Sequence, residues 1–92
     1  MNFGEALEAV KAGKCVARAG WNGKNQYIFL AEKIKFYASE ADDYGCAVMD
    51  SLAIKTTSDV IQVGWLASQS DMLSSDWSLV DCGKSPISPA GE

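Results

Sequence analysis

The architecture of this chain turns on Lys14-Cys15-Val16-Ala17-Arg18-Ala19-Gly20-Trp21-Asn22-Gly23-Lys24-Asn25-Gln26-Tyr27-Ile28-Phe29-Leu30. From Lys14 to Ala19 small residues alternate with Arg18, the pattern of a short strand. Gly20 to Gln26 is a turn whose strongest signal is Asn22-Gly23. Tyr27-Ile28-Phe29-Leu30 then resumes as a strand that is apolar on both faces, which places it centrally in a sheet or at a subunit contact. Together the pieces predict a β-hairpin with Trp21 at its tip.

On the N-terminal side of this hairpin, Asn2 is placed to cap a helix whose third position is Glu5, close to a capping box. Phe3, Ala6, Leu7 and Val10 recur at helical spacing, and Gly13 supplies a C-terminal stop. The apolar stripe of this helix should lie on the sheet. Ala47 to Thr57 reads as a strand, best defined near Leu52-Ala53-Ile54, and Ser58-Asp59 turns it into Val60-Ile61-Gln62-Val63. Ser68 with Asp71 three residues on starts a short helix over Gln69 to Ser74. Trp77-Ser78-Leu79-Val80 closes as a last strand. Ala31 to Tyr44 reads as a long loop with room for one helical turn, a kind of segment that is often functional or else disordered. The expected fold class is α+β: an N-terminal helix packed on a twisted antiparallel sheet of four to five strands, plus a short helix in the C-terminal half. Residues 1–82 form one ligand-binding domain, and 83–92 have the composition of a disordered tail.

With 92 residues the chain is a single small domain, which buries only about 60% of the surface its unfolded form exposes. Oligomerisation is a natural source of further burial. The net charge of -4 disfavours binding to DNA or RNA polymers. No apolar run approaches the length of a membrane span, and the N-terminus reads as an amphipathic helix, not a signal peptide. Cys15, Cys46 and Cys82 are scattered without metal-ligand spacing. Cys15 and Cys46 read as small buried hydrophobes, and the chain as a protein of a reducing cytoplasm.

Two tryptophan-centred polar clusters stand out, around Trp21 and from Gly64-Trp65 to Asp76-Trp77. Each sets a flat aromatic beside short hydrogen-bonding groups, which suits a planar polar ligand such as a nucleobase. A tryptophan beside Asn-Gly at a hairpin tip cannot easily reach the core of its own domain, so ligand or subunit contact is favoured for Trp21 over plain packing. Asn22 is a turn residue first, with an amide able to read a base edge. Arg18, the only arginine, and Lys24 are candidates for holding a phosphate. Phe36 and Tyr37 are candidates for a second stacking platform. For Trp65, a core residue sealing a strand end and a pocket wall stand level. Ser68 is most simply a cap. Gln69 and Asp71 fall in the first helical turn, where Asp71 complements the helix dipole or accepts from ribose hydroxyls or an exocyclic amine. Trp77 reads as core, and Asp76 as a residue that helps the chain turn. Histidine is absent, no aspartate spacing matches a metal loop, and no cysteine has an activating base, so catalysis and a resident cofactor or metal are disfavoured.

The runs Met1-Asn2-Phe3-Gly4-Glu5-Ala6-Leu7-Glu8-Ala9-Val10-Lys11-Ala12-Gly13-Lys14, Val16 to Lys24, Ile54-Lys55-Thr56 and Trp65-Leu66-Ala67-Ser68-Gln69-Ser70-Asp71-Met72-Leu73 with Asp76-Trp77 resemble the second type of phage Thoeris anti-defence protein. The likeness spans about Met1 to Val80. Gly64 stands where that family commonly has proline and Ser70 where it has threonine, while Ala31 to Asp50 follows no family pattern. The resemblance implies a viral protein in the cytoplasm of an infected bacterium. Such proteins are sponges that bind a cyclic ADP-ribose isomer, glycocyclic ADP-ribose, without cleaving it; some relatives also hold cyclic dinucleotides. It further implies a homotetramer with recessed pockets between protomers. Trp21 matches the family's pocket tryptophan and Asp71 its acidic residue, while Asn22, Trp65 and Gln69 fit the motifs. Two rival readings differ in class: a small nucleotide hydrolase that degrades such a signal, and a protein-binding inhibitor module.

Overall fold

The computed structural model describes residues 1–21, 25–32 and 49–82. Helix α1 (Phe3–Lys11) starts as its local chemistry dictates. The Glu5 N–H donates to Asn2 Oδ1 at 2.8 Å, and the Asn2 N–H donates to Glu5 Oε1 at 2.9 Å, so two otherwise orphaned donors are satisfied. Its end is a Schellman motif: Gly13 N–H donates to Val10 O at 2.9 Å and Lys14 N–H to Ala9 O at 3.0 Å. Gly13 has φ +91°, a conformation that glycine adopts without penalty.

Five strands follow: β1 (Cys15–Arg18), β2 (Tyr27–Ala31), β3 (Ser51–Lys55), β4 (Ile61–Val63) and β5 (Trp77–Val80), with helix α2 (Gln69–Leu73) between the last two. They form one sheet in the order β4-β3-β2-β1-β5, antiparallel throughout. The α+β architecture expected from the sequence is the observed one. Strand β2, apolar on both faces, is central. Register puts Val16, Ile28 and Ile54 on one face, because Val16 pairs with Ile28 and Ile28 with Ile54. Ala6 and Val10 of α1 pack there with Val16, Ile28 and Trp77 into the core. Trp77 is core, as its strand pattern predicted, at 2% exposed. The opposite face carries Cys15, Ala31 and Ala53, all buried.

Between β3 and β4 the chain turns at Thr56–Asp59, where the Thr56 hydroxyl oxygen accepts from the Ser58 and Val60 N–H groups. Gly64 (φ +95°) follows β4, and the N–H groups of Gly64 and Trp65 both donate to Leu52 O, at 2.8 and 2.9 Å. The Met1 amine donates to Trp77 O at 2.7 Å, and Trp77 N–H to Met1 O at 3.2 Å, so the first residue lies along the last strand.

One sequence expectation is corrected. Cys15 is buried, but not as a free thiol: it forms a disulfide with Cys82, 67 residues on, with Cα atoms 5.4 Å apart. The β1–β5 pairing is the cause. Cys15 faces Val80 in the register, and Cys82 follows two positions later. No local spacing could reveal a bridge made by pairing the first strand with the last. The cysteine-based argument for a reducing compartment therefore falls away. Cys46, the loop from Ala31 to Tyr44 beyond its first two residues, and the tail at 83–92 lie outside the described residues.

Candidate functional site

The two tryptophan clusters meet where the end of β1, the start of α2 and the start of β5 converge. After Arg18 the chain folds back, Trp21 N–H donating to Arg18 O at 3.3 Å. The start of β5 holds that turn: Ala19 N–H donates to Asp76 O at 3.0 Å, and Gly20 N–H to Asp76 Oδ2 at 2.8 Å. A Cβ at position 20 would stand 2.9 Å from that same oxygen, so a side chain there would have to displace the Asp76 carboxylate.

Helix α2 is capped reciprocally. Ser68 N–H donates to Asp71 Oδ2 at 2.9 Å and Asp71 N–H to Ser68 Oγ at 3.1 Å. The other carboxylate oxygen, Asp71 Oδ1, accepts from Arg18 Nη1 at 2.9 Å and from the Trp21 indole Nε1 at 3.3 Å. Arg18 Nε reaches Asp76 Oδ1, also at 2.9 Å. One arginine thus bridges two carboxylates from different elements. The Asp71 carbonyl in turn accepts from the buried Trp77 indole at 2.8 Å.

Burial works against the Asp71 carboxylate, but the Ser68 N–H, the Arg18 guanidinium, the Ser68 hydroxyl and the Trp21 indole together outweigh it and hold its pKa below the ordinary range. Asp76 is also held low, chiefly by the Arg18 hydrogen bond and also by the Gly20 N–H. Arg18 is pushed up by Asp76 and then Asp71. All three groups are therefore charged in ordinary buffers, and the trio carries a net charge of one negative.

Around this polar knot the indoles pack edge to face. Trp21 and Trp77 have ring centroids 5.4 Å apart at 80°, Trp21 and Trp65 6.4 Å at 66°, and Trp65 and Trp77 6.3 Å at 81°. Trp21 is half-buried and packed against the core of its own domain. The expectation that a hairpin-tip tryptophan cannot reach that core is corrected: the Arg18–Trp21 turn doubles the chain back onto β5. In the core behind the indoles packing is close, for the void lined by Ala6, Val16, Ile28, Trp65 and Trp77 amounts to about 10 Å³. A larger cleft, about 430 Å³, lies elsewhere against Lys11, Tyr27, Phe29, Ile61 and the disulfide.

Of the residues singled out in the sequence, the structure brings together Arg18, Trp21, Trp65 and Asp71. Gln69 lies exposed on α2, outside the network. Asn22, Lys24, Phe36 and Tyr37 are outside the described residues. Sequence reasoning missed the pairing of Arg18 with Asp71 and Asp76. Asp76 read only as a turn former, and nothing local ties it to an arginine 58 positions away. Among the described residues, no group of three His, Cys, Asp or Glu is placed to hold a metal ion.

This arrangement, with its capped α2 and paired tryptophan motifs, can be set beside known proteins. The Thoeris anti-defense 2-like domain matches residues 1–80. The chain belongs to that family. It is also similar to Thoeris anti-defense 2 of Bacillus phage SP01, 38% identical over 85 residues that cover 87% of this chain and 94% of the phage protein. The Thoeris anti-defense 2-like domain takes in every element described above, from α1 through β5.

Proposed function

We propose that this protein counters Thoeris defence by sequestering its cyclic nucleotide signal, glycocyclic ADP-ribose, without cleaving it, and that cyclic dinucleotides are a second ligand class. One observation carries the reading: the half-buried Trp21 and Trp65 rings adjoin a carboxylate, Asp71, held charged by Arg18. Stacking on such a ring contributes roughly 1 to 3 kcal/mol per base, and Asp71 is suited to accept from ribose hydroxyls or an exocyclic amine. Gln69, Asn22, Lys24, Phe36 and Tyr37 are proposed to complete the ligand contacts.

Chemistry at the site supports binding over turnover. The chain has no histidine. Asp71 and Asp76 are pinned as carboxylates below the range in which a general acid or base operates near neutrality. Such a site is suited to gripping a ligand.

The ligand pocket is proposed to lie between protomers of a homo-oligomer, a tetramer on the family pattern. Leu66, next to Trp65, is 88% exposed, and Met72 and Leu73 on α2 are 46% and 83% exposed; these residues fit such a contact. The proposed place of action is the cytoplasm of the infected bacterium, where the signal is made. No helix among the described residues is long and apolar enough to cross a membrane.

Calorimetric titration with glycocyclic ADP-ribose, followed by heat release and chromatography of the ligand, tests the reading. Tight binding with intact ligand recovered is the expected result. A degraded ligand makes the protein a hydrolase, and no binding of this signal or of cyclic dinucleotides refutes sequestration.

A further inference from the structure

Arg18 is the only arginine of the chain, and its side chain is 16% exposed. An arginine that grips phosphate presents its planar fork to the ligand. Here Nε and Nη1 are each spent on a carboxylate at 2.9 Å, and those carboxylates come from α2 and from the residue before β5. Each has a second duty. Asp71 Oδ1 also accepts from the Trp21 indole N–H, and Asp76 Oδ2 from the Gly20 N–H. The guanidinium is thus joined to Trp21 by two routes, one ending on the ring edge and one on the backbone just before it. With two carboxylates against one cation, the group offers a phosphate no net attraction.

We propose that Arg18 is a positioning residue of the binding site, setting the Trp21 indole through Asp71 and Asp76 and taking no ligand phosphate itself. This rests on the sequestration reading. A lysine keeps the charge but, as a flexible point donor, cannot hold two carboxylates at fixed angles. Geometry, not charge, is therefore what the position requires, and phosphate groups of the ligand are met by other residues.

The test compares the unsubstituted protein with Arg18→Lys and Arg18→Gln. The first readout needs no ligand: the Trp21 indole N–H resonance, assigned by its loss in Trp21→Phe, moves in both variants. The second is affinity for glycocyclic ADP-ribose across a salt series. Arg18→Lys is expected to bind about tenfold or more weakly despite its retained charge, since a misplaced ring forfeits stacking. Arg18→Gln should weaken similarly, with a salt dependence parallel to that of the unsubstituted protein. Near-native affinity in Arg18→Lys with a flattened salt dependence in Arg18→Gln would overturn the proposal and make Arg18 a phosphate ligand. An indole resonance that stays in place would overturn it too. Should Arg18→Gln fail to fold, Asp76→Asn removes one arm of the bridge and is expected to move the same resonance less far. No binding by the unsubstituted protein would sink the sequestration reading, and the indole resonance would still decide the positioning.

Discussion

Opening the Cys15–Cys82 bond should remove a large part of the stability of this domain. The bond closes a loop of 67 residues. The chain-entropy relation for a loop that long gives about 15 cal/mol/K, or about 4 kcal/mol at 25 °C, as the stabilisation lost when the unfolded chain is freed. A domain this size is typically stable by roughly 5–14 kcal/mol, so the loss is a substantial fraction. With a urea slope near 1 to 1.5 kcal/mol/M, the midpoint should fall by about 3 M. The assay is urea unfolding followed by tryptophan fluorescence, with and without a thiol reductant, on a Cys46→Ser background that prevents reshuffling. Cys82→Ser serves as the unbridged control, because Cys82 is exposed and a hydroxyl there buries nothing. The urea slope should also rise, since an unbridged denatured chain exposes more surface. Oxidised and reduced protein agreeing within about 1 kcal/mol would rule out this loop-entropy account and point to residual contact between the chain ends in the denatured ensemble.

Three further outcomes are expected. Trp21→Ala should abolish binding of glycocyclic ADP-ribose by calorimetry and, because the ring packs on Trp77 and Trp65, lower stability by about 2 kcal/mol while the protein still folds; a folded variant with retained affinity would sink the pocket assignment. Acid should weaken the fold in a defined window. Asp71 and Asp76 have folded pKa values below their unfolded value of about 3.9, so the unfolded chain binds protons first and their contribution, complete above that value, is lost as pH falls through the folded values. Urea midpoints between pH 6 and pH 2.5 should show this decline, and Arg18→Gln should make it shallower. Gly13→Ala should cost roughly 1 to 2 kcal/mol in thermal or urea unfolding from backbone strain alone, because φ is +91° and a Cβ there meets nothing within 4 Å; an unchanged midpoint would mean that the helix end rearranges freely.

What the sequence disclosed and what it hid follow from the range of the forces. The caps were legible because Asn2 with Glu5, and Ser68 with Asp71, act within one turn of helix. Strands with period-two patterns were legible for the same reason. The two readings of Asp71 weighed from the sequence, helix start and polar recognition group, concern a single carboxylate: one oxygen caps α2 while the other takes Arg18 and Trp21. Neither Arg18 with Asp76 nor Cys15 with Cys82 has a local signature. Both depend on β5 lying beside β1, which is a property of the whole sheet. Trp21 misled for a related reason. Asn-Gly marks a turn correctly, but whether an indole beside it faces solvent depends on Trp77 and α2, far along the chain.

The pairing of β1 with β5 also sets when this protein can mature during its own synthesis. Val16 finds its partner in Leu79, and Ala6 and Val10 share a core with Trp77, about sixty residues or more later. Until the ribosome has released that distant segment, β2 and β3 cover only part of the apolar surface of α1 and β1, and the part that Trp77 fills stays open. At roughly 5–20 residues per second, the nascent chain spends several seconds in that exposed condition. Its folding is therefore completed only once β5 is available, and in a crowded host its yield depends on how quickly that strand arrives to close the sheet.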